Sequence, residues 1–190
     1  MPRSGRIRRD PSVSRKQWSR KPEQRVLIVC GALKTETAYF SGLRELLNPH
    51  AVDIEVVKHP KSPEAVVVFA RDHCDRDDFD SAWCVVDVDH YEREGKRITE
   101  AFALADAAEI SLAVSNPCFE YWLLLHHDDC GAPFLRCDEV SLRLPKVVGG
   151  YDKRRLRFSD FMNGLEDAVK RAKQRDPTGR DHAANPSSGV

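Results

Sequence analysis

Short apolar runs of strand type alternate with helical patterns four times between residues 25 and 127. The runs at 25–29 (RVLIV) and 52–57 (VDIEVV) are rich in Val and Ile, as strands are. Segment 62–74 opens with Ser and Pro, which favours a helix start, and continues with apolar residues at helical spacing. Strands that alternate with helices pair in parallel, because a parallel crossover needs a connection as long as a helix. The sequence therefore predicts an α/β fold with an open, mostly parallel sheet of about four strands flanked by helices.

These elements cover most of the chain between residues 25 and 174. Residues 128–156 lack a clear period and are predicted to form an irregular insertion. The predicted strands are 25–29, 52–57, 81–89 and 110–116, and the predicted helices are 34–47, 62–74, 97–109, 117–127 and 158–174.

The two ends of the chain differ from its middle in charge. Residues 1–25 carry nine Lys and Arg against two Asp and Glu, whereas residues 26–149 carry twelve against twenty-two. The first segment has too few apolar residues to offset the entropy of ordering. We expect a disordered basic tail at 1–24, a folded domain at 25–175 and a flexible C-terminal segment at 176–190. The tail is either an electrostatic footprint for nucleic acid or simply solvated.

Composition argues against a membrane or secreted protein. No apolar run approaches the ~20 residues that a membrane span needs, and the N-terminus lacks the apolar region of a signal peptide. We therefore expect a cytoplasmic protein with no membrane partner. In a reducing compartment, the six cysteines are expected to be free thiols.

Two carboxylates, Asp87 and Asp89, end the third predicted strand. Residues two apart in a strand face the same way, and ligands of such sheets bind beyond the carboxyl ends of the strands. Paired carboxylates repel, and a hard cation such as Mg²⁺ or Mn²⁺ relieves that repulsion. The pair is therefore a candidate metal site, although a polar strand end with Asp87 in a turn is an equally simple interpretation.

Two other segments could supply the rest of a site. After the first strand, Lys34 could contact a phosphate and Glu36 could complete an acidic cluster, or Glu36 could serve only the first turn of its helix. After the fourth strand, Asn116 and Glu120 lie four apart, which is one turn if the helix starts at Pro117. A buried Glu in so apolar a helix would need a partner or a metal.

Other chemistries have weaker support. His126, His127, Cys130 and Cys137 are close in sequence but match no standard zinc spacing, which leaves zinc as a minor alternative. The sequence has no nucleophile elbow, no phosphate-binding P-loop and no dinucleotide fingerprint.

Together these segments resemble the RloB-like family of bacterial proteins linked to restriction and abortive infection. That family looks like a variant of the Toprim fold, a Rossmann-like domain. The resemblance lies in LIVCGALKTETAYF, WCVVDVDHYE, LAVSNPCFEYWLLLHH, YDK at 151–153 and NPSSGV at 185–190. It covers nearly all of the chain beyond residue 25, and the resemblance implies that relatives continue past the position of Val190, so we expect a truncated C-terminus.

The resemblance implies Mg²⁺-dependent cleavage of phosphodiesters. Asp87 and Asp89 match the acidic pair that holds the metal in Toprim domains. The family usually reads Cys-Glu-Gly-Glu-Lys-Thr-Glu after the first strand, whereas this chain has Gly31 in place of the first glutamate and Leu33 in place of the second. We therefore expect an enzyme of reduced activity unless Glu36 or Glu120 substitutes.

The resulting hypothesis is a phage-defence nuclease that acts on DNA or RNA. Asp87 and Asp89 would bind the metal, Glu36 and Glu120 would be catalytic, and Lys34, Asn116 and His126 would contact the substrate. The alternative is a non-catalytic module that binds nucleic acid or a defence-system partner protein. A small-molecule phosphotransferase is a weaker third interpretation.

Overall fold

The fold is an α/β sheet with helices on both faces, as the alternation predicted. The computed structural model describes residues 24–32, 34–47, 51–88 and 96–190, and within them five strands pair in the order β2-β1-β3-β4-β5. Strands β1 to β4 are parallel, and β5 runs antiparallel to β4. The strands are β1 (Gln24–Cys30), β2 (Val52–Lys58), β3 (Ser81–Asp87), β4 (Ser111–Asn116) and β5 (Ser187–Ser188). The helices are α1 (Thr35–Leu46), α2 (Pro63–Cys74), α3 (Lys96–Ala107), α4 (Phe119–Leu125), α5 (Cys137–Val147) and α6 (Leu165–Arg175).

Alternation along the central strands divides the core into two layers. Cys84 and Val86 of β3 pack against α2 and α3, whereas Val85 packs in the layer formed with α1, α4, α5 and α6. Since alternate residues of a strand share a face, Asp87 falls on the same face as Val85. The last residue of β3 thus points its carboxylate toward the α1 and α4 side of the sheet.

The strand order reverses between β1 and β3, and this reversal creates a crevice. From β1 the chain goes through α1 to β2 on one side, and from β2 it crosses through α2 to β3 on the other side. The carboxyl ends of β1 and β3 are therefore neighbours from which the chain leaves in opposite directions. Open α/β sheets bind ligands at this point.

Helical structure in the second half of the chain differs from the prediction. The supposed insertion at 128–156 contains α5, which buries only Val140 and Leu144 and has Pro145 near its end, so its pattern is short and interrupted. Residues 158–164 form two 3₁₀ turns ahead of α6 rather than the start of one long helix. The helix predicted at 117–127 begins at Phe119.

The C-terminal segment 176–190, which the sequence predicted to be flexible, packs against the sheet in the structure. Ser187 and Ser188 pair with β4, and both are buried. The carboxylate of Asp176 accepts hydrogen bonds from the backbone N–H groups of Thr178 and Asp181 at 3.0 and 2.7 Å. Sequence reasoning missed this order because it comes from local turns and a two-residue strand. The predicted basic tail lies outside the described residues, apart from Gln24.

One pair of cysteines also departs from the prediction of free thiols. Cys118 and Cys137 form a disulfide between the start of α4 and the start of α5. Cys30, Cys74, Cys84 and Cys130 are free. The prediction failed because it rested on compartment alone, whereas the packing of α4 against α5 brings these two residues together.

In the part of the chain that the structure describes, none of the helices has both the length and the apolar character that crossing a membrane requires.

Replacing Asp176 by Ala should destabilise the fold. Asp176 is 5% exposed and accepts three hydrogen bonds within its own turn, two from backbone N–H groups and one from the Thr178 hydroxyl. The free energy of unfolding in urea should fall by about 2–3 kcal/mol. Asp78→Ala, which alters an exposed loop side chain, should change it by less than about 0.5 kcal/mol. Equal effects from both variants would mean that the C-terminal turn does not stabilise the domain.

Candidate active site

Three carboxylates from separate elements approach one another at the crevice. Asp87 ends β3, Glu36 is the second residue of α1, and Glu120 is the second residue of α4. The three side chains are close enough to repel one another. Glu36 and Glu120 each raise the pKa of Asp87, and Glu120 raises the pKa of Glu36. The backbone N–H of Phe119 donates to the Asp87 carboxylate, which ties the start of α4 to the end of β3.

These acids are buried, and several of their oxygens lack partners. Glu36 is 1% exposed and Glu120 is 2% exposed. Among the described residues, neither carboxylate oxygen of Glu36 has a hydrogen-bond partner, and the same holds for Oδ1 of Asp87. Asp87 as a residue keeps some exposure, but this oxygen is inaccessible to solvent. Buried carboxylates without partners are unfavourable unless they are neutral or meet a cation.

The pKa values of the two orphaned acids reflect this environment. The pKa of Glu36 is raised to about 7, chiefly by burial and also by the nearby Glu120, while its own backbone N–H and Lys153 act in the opposite direction. The pKa of Asp87 lies well above its ordinary value, first through burial and then through repulsion from Glu36 and Glu120. Near neutral pH, the cluster therefore holds protons that a bound cation would displace.

Glu120 is the member of the cluster that has firm partners. Its Oε1 lies 2.6 Å from Nζ of Lys153 and accepts a 3.3 Å hydrogen bond from the Thr35 hydroxyl. Thr35 and Glu36 are consecutive residues at the start of α1. Glu120 thus joins α1, α4 and the 3₁₀ turn at 153–155 around one buried charge.

A basic cleft adjoins the carboxylates. It encloses about 420 Å³, and Lys153 belongs both to its wall and to the ion pair with Glu120. Its walls combine four cations with small and apolar residues: Lys34, Lys58, Lys153 and Arg154, with Thr37, Ala38, Ser41, Val56 and Leu156. Positive charge beside a buried acidic cluster suits a phosphate-bearing ligand.

Four of the predicted site residues lie in this region. Lys34 lines the cleft, and Glu36, Asp87 and Glu120 form the acidic cluster beside it. Asp89 lies outside the described residues. Glu36, Asp87 and Glu120 do not place three oxygens within 4.8 Å of one another. Among the described residues, only Cys118, Glu120 and Cys137 place three ligand atoms within 4.8 Å of one another. A cation at Asp87 would accordingly use one or two carboxylates together with water, as Mg²⁺ commonly does.

Asn116 is placed differently from the prediction. Because α4 begins at Phe119, the spacing from Asn116 to Glu120 is not a helical turn. The Asn116 side-chain amide donates to the backbone carbonyl of His182 at 2.9 Å, and the His182 ring packs on Phe102 of α3. Asn116 therefore holds the C-terminal segment to the opposite layer rather than facing Glu120.

His126, which was predicted to contact the substrate, is buried among aromatic side chains. It is 4% exposed, its Nδ1 lies 2.9 Å from the Trp122 carbonyl, and its Nε2 lies 3.0 Å from the Tyr39 hydroxyl. Burial lowers its pKa to about 4, so the ring is neutral. With Nδ1 donating, Nε2 accepts from Tyr39, and no charged imidazole faces the cleft. His126, His127, Cys130 and Cys137, the minor zinc alternative, do not come together as a metal-binding group among the described residues.

Gly31 lies where the neighbouring strand would crowd a side chain. A Cβ built there would be 3.1 Å from the Val85 carbonyl oxygen and 3.2 Å from Cγ1 of Val86, with Val66 next. Val66 and Val86 belong to the layer of α2 and α3, on the other side of the sheet from Asp87. A side chain at this position would start away from the carboxylate cluster.

Sequence reasoning missed two parts of the site. Lys153 is one of thirty Lys and Arg residues, and nothing in its immediate sequence indicates an ion pair with Glu120. The only available signal was its place in the YDK segment at 151–153. The sulfur atoms beside Glu120 were missed because Cys118 and Cys137 are nineteen residues apart.

The stability of the metal-free protein should fall as pH rises. The folded state keeps a proton on Glu36 up to about pH 7, whereas the unfolded chain releases it near 4.5, so the folded state binds more protons in that window. Glu36→Gln should make the decline shallower and raise the free energy of unfolding above pH 7 by on the order of 3 kcal/mol. Urea unfolding in a chelating buffer measures both effects. Glu45→Gln, at an exposed position of α1, should follow the wild type; wild-type behaviour of Glu36→Gln would contradict the burial of a charge there.

Comparison with known proteins places the chain in one family. No curated protein and no solved structure matches it. The family model described as RloB-like protein matches residues 26–190, nearly the whole chain. The match spans β1 to β5, all three carboxylates and the four cations of the cleft, and the chain therefore belongs to the RloB-like protein family.

Proposed function

We propose that this protein is a Mg²⁺-dependent nuclease that cleaves phosphodiesters of DNA or RNA. The observation that carries the proposal is the pairing of orphaned, buried carboxylates at Glu36 and Asp87 with an adjoining cleft that holds four cations. Acid clusters that hold a cation and basic walls that hold phosphates are the two parts that such chemistry needs. Family membership and the resemblance to Toprim domains agree with this function and support a role in phage defence.

The residues of the crevice fit a divalent cation. Unpartnered oxygens of Glu36 and Asp87 are hard ligands, and Asp89 is predicted to join them. When bound, Mg²⁺ would polarise a phosphoryl oxygen and stabilise the charge that develops on it. Asp87 and Asp89 are the proposed holders of the metal, as the acidic pair at the end of β3.

The other charged residues have separate roles. Glu36, whose pKa lies at about 7, can hold or release a proton at neutral pH, which suits a general acid or base. Glu120 forms an ion pair with Lys153, which positions the lysine where the cleft meets the acids. We assign to Lys34, Lys58 and Arg154 the contacts with phosphates that hold the nucleic acid across the cleft.

Removing the metal-holding carboxylate should abolish cation binding and slow cleavage. Asp87→Asn should eliminate the heat of Mg²⁺ or Mn²⁺ binding in calorimetry. It should also lower the rate of cleavage by about 10²- to 10⁴-fold on a panel of tRNA, single-stranded RNA and plasmid DNA with Mn²⁺. Asp78→Asn, in an exposed loop, is the matched control and should behave as the wild type. Equal heats from wild type and Asp87→Asn would overturn the metal site.

The alternative of a non-catalytic binding module is tested in the same assay with Gly31→Glu. The crowding at Val85 and Val86 predicts that this variant loses about 1–3 kcal/mol of stability and gains no cleavage. Gly149→Glu, where a Cβ meets nothing within 4 Å, is the control. Cleavage by Gly31→Glu but not by the wild type would favour an enzyme that lost its activity at this position. No cleavage by the wild type or by Gly31→Glu would favour the binding module.

Neutralising the cleft should weaken nucleic-acid binding in a salt-dependent way. In EDTA, which prevents cleavage, the triple variant Lys34→Gln/Lys58→Gln/Arg154→Gln should reduce the slope of log affinity against log salt by about 2–3, because each phosphate contact contributes about 0.7–0.9. Fluorescence anisotropy with single-stranded RNA and duplex DNA measures this slope. Lys170→Gln, at an exposed position of α6, should leave it unchanged. An unchanged slope in the triple variant would remove the cleft as the binding site.

A further inference from the structure

Two sulfur atoms lie close to Glu120, next to its second carboxylate oxygen, Oε2. Cys118 immediately precedes α4, two residues before Glu120, and Cys137 is the first residue of α5. Sγ of Cys137 lies 3.3 Å from Oε2 of Glu120. The three ligand atoms of Cys118, Glu120 and Cys137 lie within 4.8 Å of one another, the only such set among the described residues.

The two oxygens of Glu120 have different environments. Oε1 is occupied by Lys153 and Thr35. Oε2 faces Cys137, but a disulfide sulfur carries no hydrogen and cannot donate to it. Glu120 is only 2% exposed, so this oxygen is buried against a sulfur atom that cannot donate a hydrogen bond to it. A thiol or a cation at the same position would satisfy it.

We propose that the reduced protein binds Zn²⁺ through Cys118, Cys137 and Oε2 of Glu120, with water as the fourth ligand. Two thiolates and a carboxylate form a donor set that selects a thiophilic cation, in contrast to the all-oxygen ligands proposed at Asp87 and Asp89. Glu120 can serve this site through Oε2 while Oε1 keeps its contacts with Lys153 and Thr35. The zinc site does not depend on the proposed nuclease activity.

The backbone geometry suits this coordination. Tetrahedral zinc with Zn–S bonds of about 2.3 Å places its two sulfur atoms roughly 3.8 Å apart. The Cα atoms of Cys118 and Cys137 are 5.6 Å apart, so rotation of the two side chains about their χ1 bonds opens the space between the sulfur atoms. Packing of α4 against α5 holds Val140 and Leu144 in the same core as Phe119, which fixes the two cysteines relative to each other.

Site formation requires a reductant and releases protons. With a phosphine, the phosphorus gives two electrons to the Cys118–Cys137 disulfide and takes an oxygen atom from water, whose two protons convert the sulfur atoms to thiols. Binding of Zn²⁺ then forms two Zn–S bonds as both thiols release their protons to solvent. The disulfide therefore blocks the site, and reduction opens it.

Cobalt(II) is the probe that reports thiolate ligation directly, through intense sulfur-to-cobalt charge-transfer absorption. The full chain reduced with a phosphine should bind one Co²⁺ with this absorption, and Zn²⁺ should displace it. The oxidised chain should show none. Cys118→Ser and Cys137→Ser should each lower affinity for Zn²⁺ at least about tenfold in competition with a chromophoric chelator. Cys130→Ser, which changes a free buried cysteine, should retain wild-type affinity.

Two further measurements, X-ray absorption and cobalt binding by Asp87→Asn, test the zinc site independently of the Ser variants. X-ray absorption of the zinc-loaded wild type should show two sulfur neighbours at about 2.3 Å, which needs no variant to fold. Asp87→Asn should keep the cobalt absorption even though it loses Mg²⁺ binding, so failure of the nuclease proposal and failure of the zinc proposal give different results. Absence of the absorption in the reduced wild type, or its survival in both Ser variants, would overturn the zinc site.

Discussion

The burial of like charges at the reversal of strand order is the constraint on which the rest of the site depends. Glu36, Asp87 and Glu120 repel one another, and burial prevents water from screening them. Lys153 is the cation that opposes this repulsion, and its ion pair with Glu120 extends from solvent to a carboxylate that is almost fully enclosed. Protonation of Glu36 supplies the remaining relief in the metal-free protein. A divalent cation would provide the same relief without protons, which is why the arrangement favours a metal.

Much of the fold could be predicted because its signals are local. Strands β1 to β4 and helices α1 to α3 have strong apolar periods, and the strand order places Asp87 and Glu36 at the same crevice. The features that sequence reasoning missed are long-range or too short to show a period. Strand β5 has two residues, α5 buries two, and the disulfide and the Lys153 ion pair join segments that only packing brings together. Asn116 and His126 were assigned by sequence spacing, and their contacts depend instead on where α4 begins and on the aromatic core around Tyr39.

Glu120 connects two kinds of chemistry through one side chain. Its Oε1 faces nitrogen and oxygen donors near the cleft, and its Oε2 faces sulfur. A residue placed between a hard and a soft ligand set can respond to both the metal supply and the thiol state of its surroundings. The contacts of its two oxygens thus explain why a glutamate is buried in this apolar helix. Neither the strand pattern nor the family resemblance explains it.

The short strand β5 has a consequence for the solubility of the whole sheet. An open parallel sheet ends in unpaired backbone groups that can recruit a strand from another molecule. β5 covers the β4 edge at Ser115 and Asn116, with its backbone continuing into the hydrogen bond from Gly189 N–H to the Val114 carbonyl. At the opposite edge, β2 carries Asp53, Glu55 and Lys58 along its length. One edge is covered by β5 and the other carries charged side chains, so the sheet resists growth by intermolecular pairing in both directions.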